Sequence, residues 1–300
     1  MQDLAILGSG FGAYTYLPAA VQTGNFSKIY CLPSFFDFVS KRSDISHLKE
    51  FLTTCRHRTE LLSCCQILVS ARRPQDQQEL IYRDLQSSTF DWLYLEKPLA
   101  ISPKDAFSCH EALVSRKTNY SINYSICRLP LWEFSPCEPL FKLKWNFMAA
   151  HWAYANQNRW KRCNSEGGGS LRFYGIHLIA LAAKYGFTKV ITSSVDSQYQ
   201  SWRCILENIS KQRLVVSLDS FSLQSVFSLE TVNSTVFRLK TPFDGVSQAN
   251  DATSFAPDPR ISITVPYLCS HTYEPKSENL SFKLRVLDLW SEIEAYTEVV

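Results

Sequence analysis

The sequence predicts an α/β domain built on a parallel sheet, followed by an α+β domain with a mostly antiparallel sheet. Three observations carry this. From residue 1 to about 120, short apolar runs alternate with amphipathic stretches, the pattern of parallel strands joined by crossover helices. A glycine-rich loop joins the first run to the first amphipathic stretch. Beyond residue 120, strand-like runs follow one another through Ser-, Asn- and Gln-containing turns, after a single helical interruption. The domain boundary is placed between residues 121 and 122, giving domains 1–121 and 122–300.

In the first domain the strands are read at residues 4–7, 28–32, 66–70 and 90–95, with helices at 13–23, 46–54 and 75–85. A further helix begins with Ser102 as N-cap, Pro103 at its first position and Asp105 in its first turn. It continues with Ala106, Phe107, His110, Leu113 and Val114 at helical spacing, and Arg116 and Lys117 suit its C-terminus. In the second domain one helix lies within 167–186, strands at 189–193, 202–207, 213–221, 226–229 and 235–239, a polar loop at 241–259 and a closing helix at 284–297.

Composition narrows the function classes. The chain has 300 residues, 45% hydrophobic and 20% charged, which excludes a disordered chain and supplies ample core. With 31 basic and 28 acidic residues the net charge is +3, too small and too scattered to point to nucleic acid or a membrane surface. Ten cysteines occur without a C-x-x-C pair or a secretory signal, so reduced thiols in a cytoplasmic protein are expected, with Cys64 and Cys65 as small core hydrophobes. The six histidines, at 47, 57, 110, 151, 177 and 271, never pair with cysteine at zinc-ligand spacing, and no metal site is expected. No stretch reaches the ~18 apolar residues of a membrane span.

Gly8-Ser9-Gly10-Phe11-Gly12-Ala13 follows the first strand directly and leads into a helix, the order a dinucleotide-binding loop requires. Gly8 permits the tight turn, Gly10 lets the backbone approach a pyrophosphate, and Ala13 lets helix pack on strand, with Phe11 and Gly12 completing the loop. A site specific for NAD places an acid at the end of the second strand. Here that strand ends in Leu32-Pro33-Ser34 with no acid until Asp37. NADP is therefore favoured over NAD, its 2′-phosphate taken by Ser34, Lys41 or Arg42 and assisted by Arg72 and Arg73; solvated loop arginines are the alternative for the last two.

The apolar run 90–95 ends in Glu96-Lys97-Pro98. Proline disfavours the helical region for the residue before it, so Lys97 is expected to be extended at the sheet edge where open α/β sheets bind ligands. Partial desolvation there suits a lysine to general acid/base work. A third stretch, Gly167-Gly168-Gly169-Ser170-Leu171-Arg172-Phe173-Tyr174-Gly175-Ile176-His177, lets a helix start close against a ligand or another backbone. Helical spacing brings Phe173, Tyr174 and His177 within a turn of one another.

In order and spacing these three motifs resemble the Gfo/Idh/MocA family of NAD(P)-dependent oxidoreductases over nearly the whole chain. The resemblance implies a Rossmann domain followed by an open-faced sheet domain, and hydride transfer at the cleft between them. It also implies Glu96 near the nicotinamide ribose, Lys97 on the reacting oxygen and His177 as the second acid/base group, with a homo-oligomer formed through the open sheet face. The chain departs from the family where Asp is common four residues before the histidine and three after it: Phe173 and Ala180 stand there. Lys97 then carries more of the proton transfer, helped by Tyr174, and Phe173 offers an apolar wall. Trp160, Lys161 and Arg162 can hold a nucleotide or acidic sugar by stacking and charge, or serve ordinary surface packing.

Two classes of function follow. One is hydride transfer to or from the carbonyl or alcohol of a sugar or nucleotide-sugar; an imine or tetrapyrrole reductase is a variant of it. The other is a catalytically silent dinucleotide-binding sensor or scaffold, which the missing carboxylates favour.

Overall fold

The computed structural model describes residues 1–86, 90–153, 159–244, 258–269 and 276–300. Most of the loop expected at 241–259 and His271 lie outside the described residues. The chain divides into two compact units, each made of three segments: Met1–Leu99, Ser108–Asn123 and Val246–Asn279 in one, and Ala100–Phe107, Tyr124–Gly245 and Leu280–Val300 in the other.

The first unit is a Rossmann-like sheet of six parallel strands: β1 (Gln2–Leu7), β2 (Phe26–Cys31), β3 (Leu52–Thr54), β4 (Ile67–Ser70), β5 (Trp92–Leu95) and β6 (Tyr120–Ile122). Their order is β3-β2-β1-β4-β5-β6, so the winding reverses between β1 and β4, the switch point where such sheets bind ligands. β4 and β5 are buried at every residue, as strands covered on both faces must be, which explains their unbroken apolar runs. Leu4, Ile6, Ile67, Val69 and Tyr94 form one core with Tyr16, Leu17, Phe35 and Val39 from the helices. Tyr267 and Leu268, from the distant helix Ile261–Cys269, complete it, and Tyr94 Oη donates to the Leu268 carbonyl at 2.9 Å.

Several elements differ from expectation for local reasons. The stretch read as a helix at 46–54 is a 3₁₀ turn, Ser46–Phe51, followed by the edge strand β3, where β-branched Thr53 and Thr54 pair with β2. The helix expected at 13–23 opens as a wide π-helical turn, Gly12–Tyr16, before the α-helix Leu17–Thr23. Pro18 has no N–H to return to the Tyr14 carbonyl, so the first turn cannot close in α register. Pro33 starts an unanticipated helix, Pro33–Ser40, its fixed φ suiting a first position. The expected cap at Ser102 is present: its Oγ accepts the Asp105 N–H at 3.2 Å, opening the helix Pro103–Ser115.

The second unit holds a mostly antiparallel sheet of seven strands: β7 (Leu140–Met148), β8 (Phe187–Val195), β9 (Ser201–Asn208), β10 (Arg213–Asp219), β11 (Phe221–Thr231), β12 (Thr235–Leu239) and β13 (Thr297–Val299). The order is β12-β11-β7-β10-β9-β8-β13, parallel only at β7/β10 and β8/β13. β7 and β13 were not anticipated. Alternation sorts the side chains: Phe141, Leu143 and Trp145 of β7 and Leu214, Val216 and Leu218 of β10 are buried. Trp202 is fully buried beside them in β9. The helices Ile176–Lys184 and Lys276–Tyr296 contribute Ile179, Leu181, Val286 and Trp290 to the buried set. Burying one such large side chain is worth about 1.5–3 kcal/mol.

Candidate active site

In the first unit the glycine loop divides its labour among three glycines. Gly8 has φ +101°, and a Cβ there would lie 2.1 Å from the Ala71 carbonyl oxygen, so the turn against β4 tolerates no side chain. A Cβ at Gly10 would meet nothing within 4 Å, leaving open space above the start of the helix. At Gly12 it would lie 3.1 Å from Ile6 Cγ2 and 3.4 Å from Phe35, so Gly12 as well as the buried Ala13 sets the close approach of helix to strand. The Gly10 carbonyl accepts the N–H groups of Ala13 and Tyr14 at 3.1 and 3.2 Å, starting the helix there. Phe11 packs edge-on to Tyr16, and the Arg260 guanidinium lies 4.6 Å over its ring. Asp258 grips Arg260 through both carboxylate oxygens and accepts Thr15 Oγ1 at 3.2 Å. Burial pushes the Asp258 carboxyl up, but those bonds to Arg260 and Thr15 outweigh it and hold it below the usual range.

The link after β5 is braced on every side. Gln77, fully buried on the helix Pro74–Tyr82, donates from Nε2 to the carbonyls of Glu96 (2.8 Å) and Leu99 (3.0 Å), and its Oε1 accepts the Glu96 N–H at 3.1 Å. One side chain thus spans Glu96-Lys97-Pro98-Leu99, and the Lys97-Pro98 bond is cis. The Glu96 carboxylate accepts Tyr16 Oη at 2.7 Å and Asn123 Nδ2 at 2.9 Å. Burial raises the Glu96 carboxyl above its usual range, while Tyr16, Lys97, Asn123 and Arg260 pull it part of the way back. Tyr16, buried beside that carboxylate, is raised well above an ordinary phenol. Lys97 sits half-buried on the braced link.

Around this link the loop residues are less committed. Ser34 is exposed in the first turn of Pro33–Ser40, just past β2, and Arg73 is exposed just past β4. Arg42 pairs with Asp44 at 3.0 Å and lies 4.9 Å over the Tyr14 ring, and Arg72 is turned toward Asp76.

In the second unit the triple glycine serves another backbone. A Cβ at Gly168 would lie 2.2 Å from the Trp160 carbonyl oxygen, and one at Gly169, φ +80°, 3.0 Å from Tyr199 Cβ. Gly175 lets the helix start against Trp202, whose ring a Cβ would approach to 2.9 Å. Between them Arg172 makes a two-pronged ion pair with Glu294 at 2.7 and 2.6 Å and donates to the carbonyls of Ile101 and Asn164.

The same turn presents an aromatic cluster. Phe173 packs edge-on against Trp160 (5.2 Å) and Tyr174 (4.7 Å), and Lys161 Nζ lies 5.3 Å over the Phe173 ring. Tyr174 packs on Phe147 and Trp145 of β7. Its hydroxyl lies 3.3 Å from His151 Nδ1, the two rings nearly parallel at 11°. His177 is 6% exposed in a helix buried from Ile176 to Ala183, and Cys127 Sγ donates to its carbonyl at 3.8 Å.

So within the first unit Gly8, Gly10, Phe11, Gly12, Glu96 and Lys97 share the carboxyl edge of one sheet, and within the second Trp160, Lys161, Phe173 and Tyr174 share one cluster. Sequence reasoning missed Tyr16, Gln77, Asn123 and His151. The first three hold Glu96 through contacts that only strand order reveals, since β5 and β6 end side by side. Among the described residues no three His, Cys, Asp or Glu side chains gather as a metal site, and no helix is long and apolar enough to cross a membrane.

No family model and no curated protein matches the sequence. Solved structures do match its fold. The chain is similar to KijD10, a 3-ketoreductase from Actinomadura kijaniata in complex with NADP and TDP-benzene, with TM-score 0.70, 12% identity and coverage of 99% of this chain and 98% of that one. It is similar to GenD2 from gentamicin A biosynthesis in complex with NAD, with TM-score 0.68, 13% identity and coverage of 97% and 94%. The WlbA dehydrogenase from Thermus thermophilus, in complex with NAD and α-ketoglutarate, matches with TM-score 0.65, 15% identity and coverage of 97% and 95%. At such identities the likeness establishes the fold: a Rossmann-like sheet and a mostly antiparallel sheet, as the sequence predicts.

Proposed function

We propose that the chain is an NAD(P)-dependent oxidoreductase of the Gfo/Idh/MocA family, transferring a hydride to or from the carbonyl or alcohol carbon of a sugar or nucleotide-sugar. The observation that carries this reading is the braced Glu96-Lys97-Pro98 link at the same sheet edge as the glycine loop. The loop fits a dinucleotide: the open space above Gly10 leaves its backbone accessible to a pyrophosphate, and Gly8 holds the turn. When bound, the nicotinamide supplies or accepts the hydride. Gly8, Gly10, Phe11 and Gly12 hold the cofactor's phosphates, Glu96 lies at its nicotinamide ribose, and Ser34 and Arg73 favour NADP.

The chain's own chemistry is then proton handling and positioning. Lys97 holds a proton at Nζ for the reacting oxygen, and the Gln77 brace fixes the backbone from which it reaches. His177 and Tyr174 are the second acid/base groups, and Trp160, Lys161 and Phe173 take the sugar or nucleotide by stacking, charge and an apolar wall. A homo-oligomer through the β7–β10 face carrying Lys144 and Ser217, and a cytoplasmic location, belong to the same reading; light scattering reads the first.

A dinucleotide-binding sensor is the second reading, favoured by Phe173 and Ala180 where the family's acids are common. Mixing the protein with NADPH and a panel of sugars and nucleotide-sugars, and following absorbance of the reduced nicotinamide, separates the two. Consumption of NADPH, or its formation when NADP+ is supplied instead, supports the oxidoreductase; tight NADPH binding with neither supports the sensor.

A further inference from the structure

We propose that Tyr174 and His151 form an acid/base pair in which Tyr174 exchanges the proton with substrate and His151 positions and relays it. The inference rests on the oxidoreductase reading. Tyr174 is clamped edge-on by Phe147 (4.8 Å), Trp145 (5.7 Å) and Phe173 (4.7 Å), so its hydroxyl has little freedom to swing away from His151 Nδ1. At 3.3 Å the contact is long for a hydroxyl bond, as catalytic pairs commonly are before substrate engages. His151 is 4% exposed, its ring meets Phe173 edge-on and lies beside Trp152, and its carbonyl accepts Arg162 Nε. Among the described residues, the charged groups stacked on the rings beside the pair include Arg162, over the Trp152 ring, and Lys161, over the Phe173 ring.

With Phe173 in place of a carboxylate, an imidazole reached from a different element supplies the missing basic partner. In the oxidation direction Lys97 keeps its Nζ proton in a hydrogen bond to the reacting oxygen, and the substrate hydroxyl gives its own proton to Tyr174 Oη as Tyr174 passes its own to His151 Nδ1. The alcohol O–H bond breaks, an N–H bond forms and His151 ends as imidazolium; a bound oxidised nicotinamide would supply the hydride acceptor that takes up the two electrons. Reduction runs in reverse, and between turnovers the proton leaves His151 by way of Tyr174, the less buried of the two.

The test uses the full chain with labelled tyrosine ring carbon and histidine nitrogen, followed by NMR across pH. The expected result is that the Tyr174 phenol carbon moves as His151 titrates, and that His151→Leu abolishes that movement. His151→Asn, which keeps an acceptor near the Nδ1 position but cannot titrate, retains the fold and loses the same step. With NADPH and any sugar turned over, His151→Leu lowers kcat by roughly 10²-fold with KM little changed, and His151→Asn flattens the corresponding limb of the pH profile. A Tyr174 resonance identical in parent and both variants overturns the pair, as does full kcat in His151→Leu. Coupled resonances with no turnover of any sugar by the parent overturn the oxidoreductase reading, and with it the proton exchange, while the pair itself stands.

Discussion

At the scale of single residues, Gly8 and Gly10 separate the needs of the fold from those of the ligand. A Cβ at Gly8 meets the Ala71 backbone, and the φ of +101° held there is strained for any L side chain, so Gly8→Ala loses about 1–3 kcal/mol from backbone strain alone. A side chain at Gly10 meets open space, so Gly10→Val keeps the parent's melting temperature yet abolishes dinucleotide binding, read by calorimetric titration with NADPH. Binding equal to the parent's contradicts the loop assignment. Glu96 makes a pH prediction. Its folded pKa is raised above the ordinary 4.5, chiefly by burial, so the folded chain holds this proton more tightly than the unfolded one. The stability it contributes is complete below that ordinary value and is lost as pH rises through the raised one. Melting curves across this window should show the parent losing ground to Glu96→Gln as pH increases. A constant difference contradicts the assignment of the shift.

At the scale of elements, the sequence announced those whose signals are local. The Ser102-Pro103-Asp105 cap, the β4 and β5 runs and the strand-forming runs of β9 to β12 need only propensity and period. Elements defined by distant partners escaped: β3 and β13 are three-residue edge strands, and the helix Ile261–Cys269 joins the first unit through Tyr267 and Leu268. The candidate site divides the same way. Its glycines and the Glu96-Lys97-Pro98 link are contiguous motifs, whereas Tyr16, Gln77, Asn123 and His151 reach their partners across 80, 19, 27 and 23 residues. Arg172 is another such case. Its two-pronged pair with Glu294 ties the Ser170–Gly175 turn to the C-terminal helix, and both side chains are mostly buried, at 14% and 19% exposure. Removing one partner leaves an uncompensated charge, so Arg172→Ala should cost about 3 kcal/mol, read as a lowered denaturation midpoint. Arg172→Met with Glu294→Leu should recover most of that loss, and equal damage from the double variant contradicts the ion-pair account.

At the scale of the whole molecule, cofactor choice and the proton at Lys97 both belong, under the proposed function, to the unit with the six-stranded sheet. No acid closes β2, and Ser34 stands exposed in the first turn of the helix that follows, where a phosphate is favoured. NADPH should bind more tightly than NADH, and NADH tighter by tenfold, about 1.4 kcal/mol, contradicts this. For the proton, the Gln77 brace holds Lys97 in place. The most direct test of the central claim is the rate of NADPH consumption by parent and Lys97→Ala with a sugar from the panel. The account predicts a fall of roughly 10²–10⁴-fold in kcat with NADPH affinity unchanged. Full activity in Lys97→Ala, or a parent that binds NADPH and consumes none with any sugar, contradicts it.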